Sequence, residues 1–287
     1  MFRTTAIAAA LTLVFTNALA APALQTKVYN ADSNSFHVNS TLIYGATEAL
    51  VIDAGFTRAD ALRIAANVLD SGKQLKTILV SQADPDYYFG VETLKQIFPK
   101  AQVVATPQVV EKIKEKMAAK VAFWTPRMGA NAPSAPSLPA ALSNMTLTVD
   151  GQAVEVRATQ GVLAHRPYVW IPSIRTVTGT IGVFGNLHLW MADAPTAAQR
   201  SAWSAQLAEM AALKPAVVIP GHMKAGTPLD ASSIAYTQAY LQRYETTLAA
   251  TANSAELIAR MKRAYPDAQL DMALDIGAKV SKGEMTW

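Results

Sequence analysis

Apolar residues fall in two rhythms along this chain. Short runs rich in β-branched and aromatic residues read as strands, and longer stretches with apolar positions three and four apart read as helices. Asn39 to Gly45 and Glu48 to Gly55 predict two paired strands joined by a Gly-Ala-Thr turn, with Lys27 to Val38 as an edge strand before them. Thr57 and Asp60 form a capping-box pattern, and Leu62, Ala65, Ala66 and Leu69 supply the apolar face of a helix that Gly72 stops. Lys76 to Ser81 is a buried strand, followed by a helix from about Tyr88 to Phe98 and a strand at Gln102 to Ala105. A second helix runs from Pro107 to about Phe123, with Thr106 as its N-cap.

The next stretch, Thr125 to Pro139, lacks apolar periodicity and is rich in Pro, Ala, Ser and Gly, so it predicts a long loop. Loops of that length usually cover a site or move. Asp150-Gly151 then marks a hairpin between Met145 to Val149 and Ala153 to Arg157. Tyr168 to Ile171, Arg175 to Thr178, Ile181 to Phe184 and Ala216 to Ile219 read as short strands, and Ala194 to Leu213 as an amphipathic helix. From about Asp230 to Lys279 the pattern is helical, with basic residues on the face away from the sheet. Strands alternating with helices predict an α/β fold with a largely parallel sheet.

Composition narrows the class. Of 287 residues 51% are hydrophobic and 16% charged, enough for one large domain with a substantial core. Residues 1–20 have the form of a secretory signal peptide: Arg3, an apolar run from Ala6 to Phe15, and Ala18-Leu19-Ala20 as the cleavage signature. The apolar run is short for a bilayer span, so an anchor helix is the poorer reading. The expectation is a periplasmic or secreted protein, cut near Ala20, with no stable membrane insertion and a single domain over 21–287. There is no cysteine, hence no disulfide framework, thiol nucleophile or zinc–thiolate site. The net charge of +4, one less without Arg3, is scattered and does not suggest nucleic acid as a partner. A small molecule is the expected partner.

Candidate chemistry gathers at Ser81 to Gly90, between an apolar run and a helix-like stretch. Extended backbone would turn Gln82, Asp84 and Asp86 to one side, and Pro85 favours extension at Asp84. This stretch resembles the first metal motif of the metallo-β-lactamase superfamily, His-x-His-x-Asp-His followed closely by Gly. Gln82, Asp84, Asp86 and Tyr87 stand at the four ligand positions, with Gly90 in place. Asn39 to Gly55 is similar to the opening hairpin of that fold, in which the residue matching Asp53 supports the metal site from behind; a plain turn carboxylate is the other reading. Gly161 to His165 and Ile219 to His222 resemble segments that carry metal histidines, while Thr180 stands where the family has its bridging Asp.

The resemblance covers about 39–222 and implies a four-layer αβ/βα metallo-β-lactamase-like sandwich, with C-terminal helices at about 230–279. It also implies a mononuclear site of Asp84, Asp86, His165 and His222, in which Asp86 serves the chemistry as well. Gln82, Tyr87, Thr180, His188 and Asp193 would be weak ligands or pocket walls. Two oxygen and two nitrogen donors suit zinc, and also manganese or iron. Two buried carboxylates at one strand end repel unless a cation lies between them, either a metal or a side chain such as Arg166. Two functions follow: an exported hydrolase whose metal-activated water attacks an ester, lactone, lactam or similar bond, or a catalytically inactive periplasmic binding or accessory protein on the same fold. Trp124 and Trp190 would flank the pocket if the Thr125 segment folds over it.

Overall fold

The computed structural model describes residues 22–287, so the expected signal peptide and its cleavage site lie outside the described residues. The first sheet has six strands in the order β1 (Gln25–Asn30), β2 (Asn39–Tyr44), β3 (Glu48–Ile52), β4 (Gln74–Leu79), β5 (Gln102–Ala105) and β6 (Ala140–Ala141). β1, β2 and β3 pair antiparallel, and β3 to β6 pair parallel. The parallel half needs crossovers, and helices α1 (Arg58–Ser71), α2 (Pro85–Tyr88), α3 (Val91–Ile97) and α4 (Pro107–Met128) supply them.

The second sheet holds β7 (Thr146–Val149), β8 (Gln152–Arg157), β9 (Tyr168–Ile171) and β10 (Thr176–Thr178). Asp150 and Gly151 turn β7 into β8 with φ of 46° and 74°, the left-handed pair that a two-residue hairpin needs. A two-stranded pair, β11 (Phe184–Gly185) with β13 (His222–Met223), lies apart from it. Between them in sequence come α5 (Ala197–Ala212) and β12 (Val217–Val218), the latter on the far edge of the second sheet beside β10. Helices α6 (Ser232–Ala249), α7 (Ser254–Ala264) and α8 (Asp271–Ser281) end the chain.

Three apolar layers tie this together. Ile43, Leu50, Ile52 and Leu79 meet Val154, Val156, Val169 and Ile171, so the two sheets face each other. Ile64, Val68, Leu94 and Ile113 pack helices on the outer face of the first sheet. Trp203, Leu207, Tyr240, Leu257 and Leu274 do the same for the second. The result is the four-layer α/β sandwich, with C-terminal helices on the outside of the second sheet. Among the described residues no helix is long and apolar enough to cross a membrane.

Three expectations change. The buried face of α1 is Ala61, Ile64, Ala65 and Val68, one position off the expected stripe, and Leu62 and Leu69 are 47% and 62% exposed. The edge strand stops at Asn30, where a short turn of 3₁₀ helix at Ser33–Ser35 intervenes. The Thr125 segment begins as helix: α4 runs on through Pro126 to Met128, and the Gly129 amide closes it by donating a hydrogen bond to the Thr125 carbonyl. Proline in its last turn forfeits one backbone bond. Packing of Trp124 against Phe36 and Phe56, with centroids at 5.5 and 5.2 Å, holds that end of the helix down.

Candidate functional site

The site lies where β4 and β10 end and β13 begins. Extended backbone at Asp84 (ψ 145°) precedes Pro85, which opens the single turn α2. That turn breaks the alternation expected across Gln82, Asp84 and Asp86. Asp84 and Asp86 line a pocket of about 530 Å³, open mouth included, together with His222 and Asp193. Gln82 is not among its lining residues: its Nε2 donates to the carbonyls of Pro167 (2.8 Å) and Gly179 (3.2 Å), tying the end of β4 to the second sheet. Its Oε1 is buried with no hydrogen-bond partner among the described residues.

Gly90 lets this motif sit close against the preceding hairpin. A methyl group there would meet the Ala54 carbonyl oxygen at 2.0 Å, so the turn after β3 and the helical segment after β4 approach as only glycine allows. Asp53, in the left-handed region at φ 66°, turns its carboxylate to Ser81 beyond the end of β4. Its carboxylate accepts from the Ser81 amide and the Ser81 hydroxyl, both at 2.7 Å. Burial outweighs these two bonds and raises its pKa to about 8.

Stability should therefore depend on pH through this group, among the other shifted groups of the site. Because the folded pKa is raised above the ordinary 3.8, the fold holds a proton at Asp53 that the unfolded chain releases. The associated stability is full below the ordinary pKa and is lost as pH rises toward about 8. Asp53→Asn, which mimics the protonated acid, is expected to gain stability relative to the native protein across that window in urea unfolding at stepped pH. A constant difference between the two proteins would contradict this.

His222 is fixed at both ring nitrogens. Nδ1 donates to the Phe36 carbonyl at 2.9 Å, which leaves the lone pair on Nε2. The Tyr87 hydroxyl donates to that lone pair at 3.0 Å. Burial pushes the His222 pKa down to about 4, so the ring is neutral near pH 7. Burial, with Asp86 and Asp53 next, pushes the Tyr87 phenol well above its usual range, so it stands here as a neutral donor. Asp86 Oδ2 stands 3.6 Å from His222 Nε2, outside hydrogen-bond range.

Burial is the main cause that raises Asp84 and Asp86; Asp193 adds to it for Asp84, and Asp84 for Asp86. Cations oppose this: Arg166 and Lys120 favour the ionised form of Asp84, and Lys120 that of Asp86. Arg166 is 6% exposed and places Nη2 at 3.4 Å from Asp193 Oδ2. The guanidinium anticipated as one of two possible cations therefore pairs with Asp193 rather than lying between Asp84 and Asp86.

The remaining expected residues go elsewhere. His165 is half-buried and is not among the pocket lining; burial, then Arg166, Lys112 and Lys116, lowers its pKa to about 4. His188 turns into the core, where Nδ1 bonds the Tyr240 hydroxyl at 2.9 Å. Thr180 Oγ1 accepts from the Gly182 amide at 3.0 Å and closes its own turn. Trp124 and Trp190 do line the pocket, as do Phe36, Phe56, Lys120 and Trp287, which no motif marked. Phe36 (φ 56°) and His37 (φ 58°) are both left-handed, a turn that brings the Phe36 ring and carbonyl to the site and leaves no pattern in hydropathy.

These residues do not fit the implied four-ligand metal site. Among the described residues no three His, Asp or Glu side chains are grouped to hold an ion. The lone pair His222 would offer is already occupied by Tyr87.

A two-sheet α/β sandwich with its pocket at the strand ends defines the class. The family model described as the metallo-beta-lactamase superfamily matches residues 34–222, and the chain belongs to that superfamily. A metallo-beta-lactamase family protein from Thermus thermophilus is similar over 91% of each chain, with TM-score 0.63 and 18% identity. A beta-lactamase domain protein from Burkholderia ambifaria is similar over 91% of this chain and 84% of its own, with TM-score 0.62 and 14% identity. A double mutant of the sec-alkyl sulfatase PisA1 is similar over 84% of this chain and 47% of its own, with TM-score 0.55 and 17% identity. At such identities the likeness is one of fold. No curated protein sequence matches.

Proposed function

We propose that this chain is a small-molecule-binding member of a superfamily that includes hydrolases, in which protein side chains fill the place of the metal. One observation carries the reading: the Tyr87 hydroxyl stands at a motif ligand position and caps the Nε2 lone pair of His222 at 3.0 Å. A tyrosine at that position donates a proton where a histidine would donate a lone pair. Arg166 beside Asp193 gives the carboxylates a cation of their own. In this reading the export signal delivers a binding or accessory protein to the periplasm or the exterior.

A second reading keeps one favourable observation. Asp86 and His222 approach to 3.6 Å, close enough to share an ion if Tyr87 were to swing away. The chain would then be an exported hydrolase with zinc, manganese or iron held by Asp84, Asp86, His222 and a displaced His165, acting on an ester, lactone, lactam or sulfate ester.

Metal content separates the two. Protein purified without chelator is expected to carry no stoichiometric zinc, manganese or iron, and to show no chelator-sensitive hydrolysis of these substrate classes. About one equivalent of metal, lost in both Asp86→Ala and His222→Ala, would overturn the binding reading in favour of the second.

A further inference from the structure

The pocket walls are aromatic in an unbroken chain. Phe56 meets Trp124 at 5.2 Å between centroids, Trp124 meets Phe36 at 5.5 Å, Phe36 meets Trp190 at 6.1 Å, and Trp190 meets Trp287 at 5.5 Å. These rings come from well-separated regions of the chain, so the wall is a product of the fold.

Its floor is acidic. Asp84, Asp86 and Asp193 line the pocket against a single lysine, Lys120. Asp193 is committed: it accepts from Trp287 Nε1 at 2.7 Å and pairs with Arg166. Asp84 makes no side-chain bond to cap its helix turn. Asp86, 7% exposed, faces His222 across 3.6 Å without a hydrogen bond. A largely buried carboxylate with no side-chain donor, bonded only by its own backbone amide and open to a pocket, is an incomplete arrangement.

Lys120 shows what completes it. Its ammonium lies 5.3 Å from the centre of the Trp287 ring, over an aromatic face at the pocket. The chain's own cation thus uses one wall and the field of the same acids.

We infer that the pocket binds an organic ammonium ion, a compact cation with alkyl substituents that the aromatic rings surround and Asp84 and Asp86 neutralise. The alkyl groups give the rings apolar surface, and the charge is attracted to their faces. This rests on the binding reading above and adds the class of ligand.

The test compares choline with its uncharged tert-butyl analogue by calorimetry and tryptophan fluorescence on the full protein. Choline is expected to bind at least about tenfold more tightly than the neutral analogue, the margin that a desolvated cation on aromatic faces gives. Asp86→Asn and Trp190→Leu are each expected to weaken choline about tenfold, with circular dichroism confirming the fold. Lys120→Met, which removes the resident cation, is expected to tighten choline severalfold, an effect that a purely structural lysine would not produce. Equal affinity for the charged and neutral analogues, or tighter binding of acetate than of choline, would overturn the inference. Metal-free protein that ignores choline overturns this inference alone, and stoichiometric metal in the same preparation overturns the binding reading and this inference with it.

Discussion

Gly221→Ala is expected to destabilise the protein by about 3 kcal/mol or more, at or beyond the upper end for overpacked sites. A methyl group at Gly221 would lie 2.1 Å from the Thr180 carbonyl oxygen and 2.7 Å from the Tyr87 hydroxyl. Neither side has room to yield. The Gly221 amide donates to Val183 at 3.0 Å, and its carbonyl accepts from Asn39 at 2.8 Å, so the segment is fastened to both neighbouring chain passages. Relief would come by pushing Tyr87 away, which breaks its bond to His222. Loss of soluble yield, or a large fall in the urea midpoint with altered His222 resonances, is the expected result. A variant with the native midpoint would show that the close approach of these segments is not required.

Trp203→Ala is expected to cost roughly 3 to 5 kcal/mol, the range for deleting a large buried aromatic. Trp203 is 1% exposed, and its Nε1 donates to the Gly182 carbonyl at 2.7 Å. Its ring also backs Arg166, with the guanidinium carbon 5.8 Å from the ring centre. The variant therefore removes core volume, a partner of the turn that leads to Phe184, and a support of the cation beside Asp193. Trp203→Phe restores most of the volume but no donor, and is expected to recover most of the stability. A loss below about 1 kcal/mol for the alanine variant, in two-state urea unfolding, would contradict the packing described.

Much of this architecture is written in local chemistry. Thr57 with Asp60, Thr106 with Pro107, and Asp150 with Gly151 are signals that depend on a few neighbouring residues, and each element begins or turns where they stand. The α1 stripe was ambiguous because two apolar rows lie one residue apart. The row with Ile64 and Val68 faces the first sheet, and the row with Leu62 and Leu69 faces water. Helix α4 outlasts its proline because Trp124 is anchored by tertiary contacts, which local propensity does not register.

The site was legible in position and not in detail. Asp84, Asp86, Asp193 and His222 share one pocket at the strand ends. Gln82 leaves that set because α2 ends the extended run, and His188 leaves it because the core offers Tyr240 as a partner. Of the aromatic wall only Trp124 and Trp190 were expected, and Phe36, Phe56 and Trp287 carried no sequence signal. Phe36, Phe56, Trp124, Trp190 and Trp287 meet only after the sheets have stacked and the helices have folded over them.

The most direct test of a side-chain pocket in place of a metal site is the state of the His222 ring, followed by nitrogen-detected NMR through titration with acid and with zinc. The expected result is a neutral ring with its proton on Nδ1, unchanged until the pH falls to about 4, and no movement of Nε2 with one equivalent of zinc. A large Nε2 shift at one equivalent of zinc, abolished in Asp86→Ala, would show that the lone pair is available to a metal and that Tyr87 does not close it.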